Sequence, residues 1–466
     1  MSARTEEFEP EGSARSGAIR CPQPRGTMHN ESWEPGRSAR RSLMKPGCFP
    51  VLSDRFRSVL WRAAVVACIP AAASLAGGGE PMLSLPGSNL PLSFHVDLPG
   101  GVEEPAGGAC LIEAGESDLR PAVQLVPSVT AAGLPDPRRL ALVGTIAPGS
   151  RADRRRCFRL AGGETAKPES QTAGFEFVEA GDASLRVLDD GKPVFVYNFG
   201  TMTNPAVPAA DHRRSRSCYI HPVHGVDGEI LTDDFPKDHY HHHGIFWTWP
   251  HVAVDGREHD LWAGDSIRQQ FVRWLARRAG PVAAVLGVEN GWFVGDRKVI
   301  TERVWMRAYQ VAGQWRALDI ELFLIPNGSP VTLRGAEGKS YGGLTIRFAP
   351  QSPAVITVPS GTIQQDLTTT ILRWADLTAR MRGSQNRSGA AVFIAPDHPD
   401  YPPTWLLRHY GPLCVGWPGV EPQMLAADRP IRLAYRIGIH RGEASTAELA
   451  RAYDAYLAGQ KASWLD

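Results

Sequence analysis

The chain has few cysteines, no charge imbalance, little helical periodicity and, past its first 76 residues, no long apolar run. Seven cysteines in 466 residues include no C-x-x-C pair, which argues against a zinc knuckle or a thioredoxin-type site. Fifty Lys plus Arg against 49 Asp plus Glu leave a near-neutral molecule. No general attraction to nucleic acid or anionic lipid follows from that balance, so a neutral or weakly charged partner is expected. No stretch beyond residue 76 is long enough to span a bilayer, so no integral membrane domain is expected there. What the chain does have is 47 Gly, 38 Pro and 43% hydrophobic residues. That composition favours many short strands joined by tight turns around a substantial core.

The N-terminal region has a different composition. Residues 1–43 are rich in Arg, Ser, Glu and Pro without periodicity and are expected to be disordered or a mis-assigned start, with Met28 or Met44 as alternative initiators. Residues 44–76 have the composition of a signal peptide: Arg55, Arg57 and Arg62 precede the apolar run 63–73, and Ser74-Leu75-Ala76 suits signal peptidase. The expectation is export to the periplasm or beyond the cell. Removal after Ala76 would leave Cys110, Cys157, Cys218 and Cys414, and whether Cys110 and Cys157 pair stays open.

Further along, residues 83–160 suggest a small β-sandwich module, 161–174 a linker and 175–460 a large, mainly β domain of antiparallel strands. Ser184–Leu188 and Pro193–Tyr197 flank Asp189-Asp190-Gly191, a tight hairpin turn. Lys298–Tyr309 turns at Ala312-Gly313-Gln314 into Trp315–Ile325. Only the end is helical, with Ser445-x-x-Glu448 spaced as a capping box and Leu449, Ala452, Tyr453, Tyr456 and Leu457 on one face.

The chemistry concentrates in one segment. Of 14 histidines, eight lie between His221 and His259, and Asp234 to Gly244 reads D-F-P-K-D-H-Y-H-H-H-G. A Pro- and Gly-bounded loop entering a strand can aim several imidazoles into one cavity. Tyr219, His221, Asp234, Lys237, His239 and His241 could bind sugar hydroxyls while His242 or His243 serves as general acid or base, with Trp247 or Trp249 against a pyranose ring. Alternatively His239, His241 and His243 could hold one transition metal, with Asp234 or Asp238 as carboxylate. A third possibility is that several imidazoles only satisfy buried backbone groups. Glu302, expected on an inner strand face where burial would raise its pKa, and Glu337 are the candidate carboxylates that complement the imidazoles. Lys339, Asp376 and the late Arg408-His409-Tyr410 complete the candidate ligand-binding set.

These motifs carry a resemblance. Tyr-Ile-His-Pro with Gly-x-Asp-Gly, then Asp-Phe-Pro-x-Asp-His-x-His-His-x-Gly, Thr-Glu-Arg, Glu-Gly-x-x-x-Gly-Gly and the late Asp-His-Pro resemble the bacterial family labelled "methane oxygenase PmoA", over about 175–457. The chain is also similar to the galactose mutarotase-like superfamily. The resemblance implies a large twisted antiparallel β-sandwich with a concave carbohydrate-binding face, and the label implies a metal-dependent oxidoreductase. His243 stands where the family usually has Arg. The expectation taken forward is a cofactor-free, exported, carbohydrate-active protein using His and carboxylate acid–base chemistry. Metal-dependent oxidation and non-catalytic glycan binding are the alternatives.

Overall fold

The computed structural model describes residues 81–100, 108–114, 120–149, 154–162 and 174–465. The readings of 1–43 and 44–76, and of most of the linker 161–174, lie outside the described residues. The fold is mainly β, with antiparallel pairing throughout and one α-helix among the described residues, Thr446–Gly459. No helix among them is long and apolar enough to cross a membrane.

Two nine-stranded sheets make the large domain. The first runs, in spatial order, Leu367–Ile371, Thr404–Leu407, Pro412–Gly416, Gly343–Arg347, Ile245–Thr248, Tyr219–Val223, Lys192–Asn198, Ser184–Asp189 and Phe175–Glu179. The second begins at Arg268–Ala279 and passes through Ala283–Val294, Arg297–Tyr309, Trp315–Pro326 and Ile431–Arg441 before ending on four shorter strands. Strand side chains alternate between faces. Ile245, Trp247, Leu344 and Ile346 of the first sheet therefore meet Leu286, Val288, Ile300 and Val304 of the second in one shared core. The expected hairpin is present, with Asp190 at φ 50° and Gly191 at φ 73° supplying the left-handed backbone its turn needs.

Residues 82–162 supply six strands of a seven-stranded sheet, and Ser463–Leu465 at the far end of the chain supplies the seventh, beside Met82–Leu85. This sheet lies on the outer face of the second large sheet, where Val126, Ala141 and Val143 pack on Val285, Trp305, Tyr309 and Phe323. Cys110 stands opposite Ala161 and Cys157 opposite Ser84, and the two are not joined to each other. The helix carries the expected capping box, Ser445 with Glu448, and buries Leu449, Tyr453 and Tyr456 against Trp374 and Phe393.

Candidate functional site

Strands Tyr219–Val223 and Ile245–Thr248 pair directly, Ile220 opposite Ile245, so the chain between them must leave the sheet and return. Its second half, the histidine loop, folds back in two turns: the His239 N–H donates to the Pro236 carbonyl at 2.9 Å and the His242 N–H to the His239 carbonyl at 2.9 Å. Gly244 ends it, because a Cβ there would sit 2.1 Å from the Ile220 carbonyl oxygen. Alternation sends Ile245 and Trp247 inward, while Phe246 packs on the opposite, outer face with Tyr219, Leu406 and Cys414. Thr345, opposite Phe246 and Cys414 in the pairing, and Arg347 two residues on share that outer face. Trp262 packs onto the same cluster, and its ring lies 4.6 Å from that of Tyr341.

Two carboxylates organise the imidazoles. Asp234 accepts from the Tyr219 hydroxyl at 2.8 Å through Oδ2 and meets His243 Nδ1 at 2.7 Å through Oδ1. Burial pushes the Asp234 carboxyl up to about 6. Burial, then the Arg216 charge, holds His243 well below the usual histidine range. Above pH 6 the pair is therefore a carboxylate and a neutral imidazole whose Nδ1–H it holds, leaving a lone pair on Nε2. Asp238, half exposed, takes both Oδ contacts from Arg347 Nη2 at 3.0 Å and lies 3.0 Å from His239 Nδ1.

Above this charge pair the rings stack. His239 lies between His242 (centroids 4.6 Å apart, planes 3° apart) and Tyr410 (5.5 Å, 10°), and the Arg347 guanidinium sits 4.9 Å over the Tyr410 ring. Arg347 Nη1 also approaches His242 Nδ1 at 3.4 Å as donor, placing the ring proton on Nε2. Burial, then His241 and His239, forces His242 to stay neutral. Desolvation lowers His241 to about 4, helped by His239 and Arg213, and lowers His221 to about 4 despite Asp234. His221 Nδ1 is 3.0 Å from Thr232 Oγ1. At neutral pH both rings are unprotonated and able to accept a proton.

The structure thus gathers Tyr219, His221, Asp234, His239, His241, His242, His243 and Tyr410, with Lys237 exposed in the same loop. Other expected residues lie elsewhere. Trp247 and Trp249 are 0% exposed on the inner side, so neither offers a face to a sugar; Trp249 Nε1 donates to the Trp417 carbonyl at 2.6 Å. Glu302 is also 0% exposed, enclosed by Gln269 Nε2 at 2.8 Å, Asn290 Nδ2 at 2.8 Å and Trp292 Nε1 at 2.6 Å. It faces the shared core, while Arg303 on the other face pairs with Glu289 at 3.0 Å. Asp376 is buried on His440 Nε2 at 2.9 Å. Glu337 and Lys339 are exposed in the turn before Tyr341. Asp366 holds His409 Nδ1 at 2.8 Å and Arg408 at 3.7 Å, leaving Tyr410 as the member of that motif that reaches the loop.

Among the described residues, no three His, Cys, Asp or Glu side chains are placed to hold one metal ion. In the proposed His239, His241 and His243 set, His243 gives its Nδ1 to Asp234, and the His239 and His241 rings meet edge to face at 5.7 Å. Arg347 and Trp262 belong to the site but carry no motif, and Tyr341 stands at an unspecified position of Glu-Gly-x-x-x-Gly-Gly. Only the alternation in Gly-Leu344-Thr345-Ile346-Arg347 gives Arg347 away, as a polar residue on a strand with one apolar face. Residues 184–454 match the model of DUF6807, a family of unknown function. No curated protein matches the chain.

Proposed function

The chain belongs to DUF6807, and from that premise we propose that it binds a sugar or oligosaccharide on the outer face of the first sheet and transforms it by histidine–carboxylate proton transfer. The observation that carries this reading is the half-exposed Tyr410 ring, backed by His239, beside carboxylate-oriented imidazoles. A sugar needs an apolar face to stack on and convergent polar groups for its hydroxyls. Tyr410, 42% exposed, supplies the face. His241 and Tyr240 are partly open to solvent in the same loop.

Proton transfer needs a base that is neutral and a partner that returns the proton. His241 fits the base, because its lowered pKa keeps it unprotonated across the neutral range. The Tyr219–Asp234–His243 array is the second member: Asp234 fixes the His243 tautomer, and its raised carboxyl exchanges a proton near pH 6. In this reading Asp234 takes the carboxylate role expected of Glu302, which three N–H donors enclose in the core.

A glycan screen of the full chain followed by turnover assays on the bound glycans tests this. His241→Ala and Asp234→Asn are each expected to lower kcat by about a hundredfold or more. Tyr410→Ala is expected to raise KM with little change in kcat. No glycan bound by the wild type, or wild-type turnover in both proton-transfer variants, would overturn the reading.

A further inference from the structure

A cavity lies away from the histidine loop, between the seven-stranded sheet and the outer face of the second large sheet. It has a volume of about 470 Å³. His95 and Thr130 line it from one side, Arg307, Glu321 and Arg432 from the other, and Tyr456 of the helix adds an aromatic wall. That size lies in the range of small-molecule sites.

Its charges are matched among themselves. Glu321 is held by both Arg307 Nη1 and Arg432 Nε, and Arg432 also pairs with Asp397. Asp319 is clamped by Arg436 at 2.6 and 2.8 Å, and Asp97 accepts from Ser128 at 2.6 Å. Two guanidiniums thus face two carboxylates around Arg307, and Asp319 and Arg436 cancel each other. No positive charge is left over to attract an anion.

Hydrogen bonding is not matched in the same way. Arg307 is 2% exposed, yet its Nε and Nη2 have no hydrogen-bond partner among the described residues, and neither does His95 Nε2. Nε–H and the adjacent Nη2–H of a guanidinium point the same way in a fixed fork. Buried polar atoms without partners cost stability, and their presence in a native fold calls for an acceptor from elsewhere.

We propose that this cavity is a second binding site, for a neutral polyhydroxylated ligand of monosaccharide size. Two vicinal hydroxyl oxygens accept from the Arg307 fork, reached by a rotamer adjustment of Arg307 at the cavity wall. His95 Nε2, buried at the same wall, turns with the fork to take a third hydroxyl, and the carboxylates of Asp97 and Glu321 keep lone pairs for the ligand's O–H donors. The proposal does not depend on the chemistry of the histidine loop.

The test is calorimetric titration of the full chain carrying Tyr410→Ala, so that the first platform is disabled. The probes are glucose, galactose and mannose, each beside its uronic acid. At least one neutral hexose is expected to bind. Arg307→Lys, which keeps the charge but loses the fork, and His95→Phe, which removes the ring nitrogens and leaves the Arg307–Glu321 pair, are each expected to weaken it at least about tenfold. Circular dichroism verifies the fold of each variant, and if Arg307→Lys does not fold, His95→Phe decides alone. Binding of uronic acids only, binding of none of the probes, or affinity unchanged in every folded variant would overturn the proposal.

Discussion

At the residue scale, histidine titration dominates how this molecule responds to acid. The unfolded chain protonates its histidines near pH 6.5, whereas folded His221 and His241 stay neutral to about 4. Between those values the unfolded state binds more protons, so the stability these residues give is complete above pH 6.5 and is lost as pH falls toward 4. Asp234 works in the opposite sense, since a carboxyl raised from 3.8 to about 6 holds its proton in the folded state and favours folding as pH falls through 6. The depressed histidines outnumber it. The melting temperature is therefore expected to drop between pH 7 and pH 5, and His221→Asn with His241→Asn to flatten that slope; an unchanged slope would refute the assignment. Glu302 makes a separate point. Glu302→Ala would strand three buried N–H groups and is expected to cost about 3 kcal/mol or more in denaturant unfolding. Its apolar neighbours in the sequence indicate burial, but the donors that enclose it come from the two preceding strands, 268–279 and 283–294, which the sequence reading does not propose, and so a catalytic role looks plausible from sequence alone.

At the scale of elements, local rules are legible where turn chemistry, polar–apolar alternation or a cap is written into the chain itself. The 184–198 hairpin, the 297–326 pair and the capped helix follow from turn chemistry, alternation and N-cap spacing. Ser445→Ala is expected to cost about 1 kcal/mol by thermal unfolding, the ordinary value of such a cap. The sequence reading proposes nothing for Arg268–Ala279 and Ala283–Val294, the edge and second strands of the second sheet. Register shifts after Phe271 and Trp274 break the alternation of the first, and the second is buried on both faces for most of its length. The same double burial accounts for Trp247 and Trp249. In a loop-to-strand segment rich in aromatics, sequence does not say which rings turn inward, and pairing with 343–347 decides it. The His–Asp–Tyr array was legible as a cluster of residue types. Tyr410 belongs to the expected ligand-binding set, but its stacking on His239 is not legible, because that contact joins residues 171 positions apart.

At the scale of the molecule, two large sheets share one core and a third lies on the back of the second. Trp305 fastens that third sheet by packing on Val126 and Val143 and donating from Nε1 to the Gly133 carbonyl at 2.9 Å. Trp305→Ala is expected to destabilise the protein by about 3–5 kcal/mol. Hydrogen exchange should accelerate in 82–162 before it does in 184–347; uniform acceleration would show that the sheets unfold as one unit. The strand Met82–Leu85 has a further property. One of its edges pairs with Arg156–Gly162, but the other waits for Ser463–Leu465, whose Trp464 also donates to the Asp97 carbonyl at 2.8 Å. A ribosome makes the first of these strands nearly four hundred residues before the last. Throughout that interval a short, largely apolar strand edge stands open on the nascent chain, and Ser463–Leu465 close it.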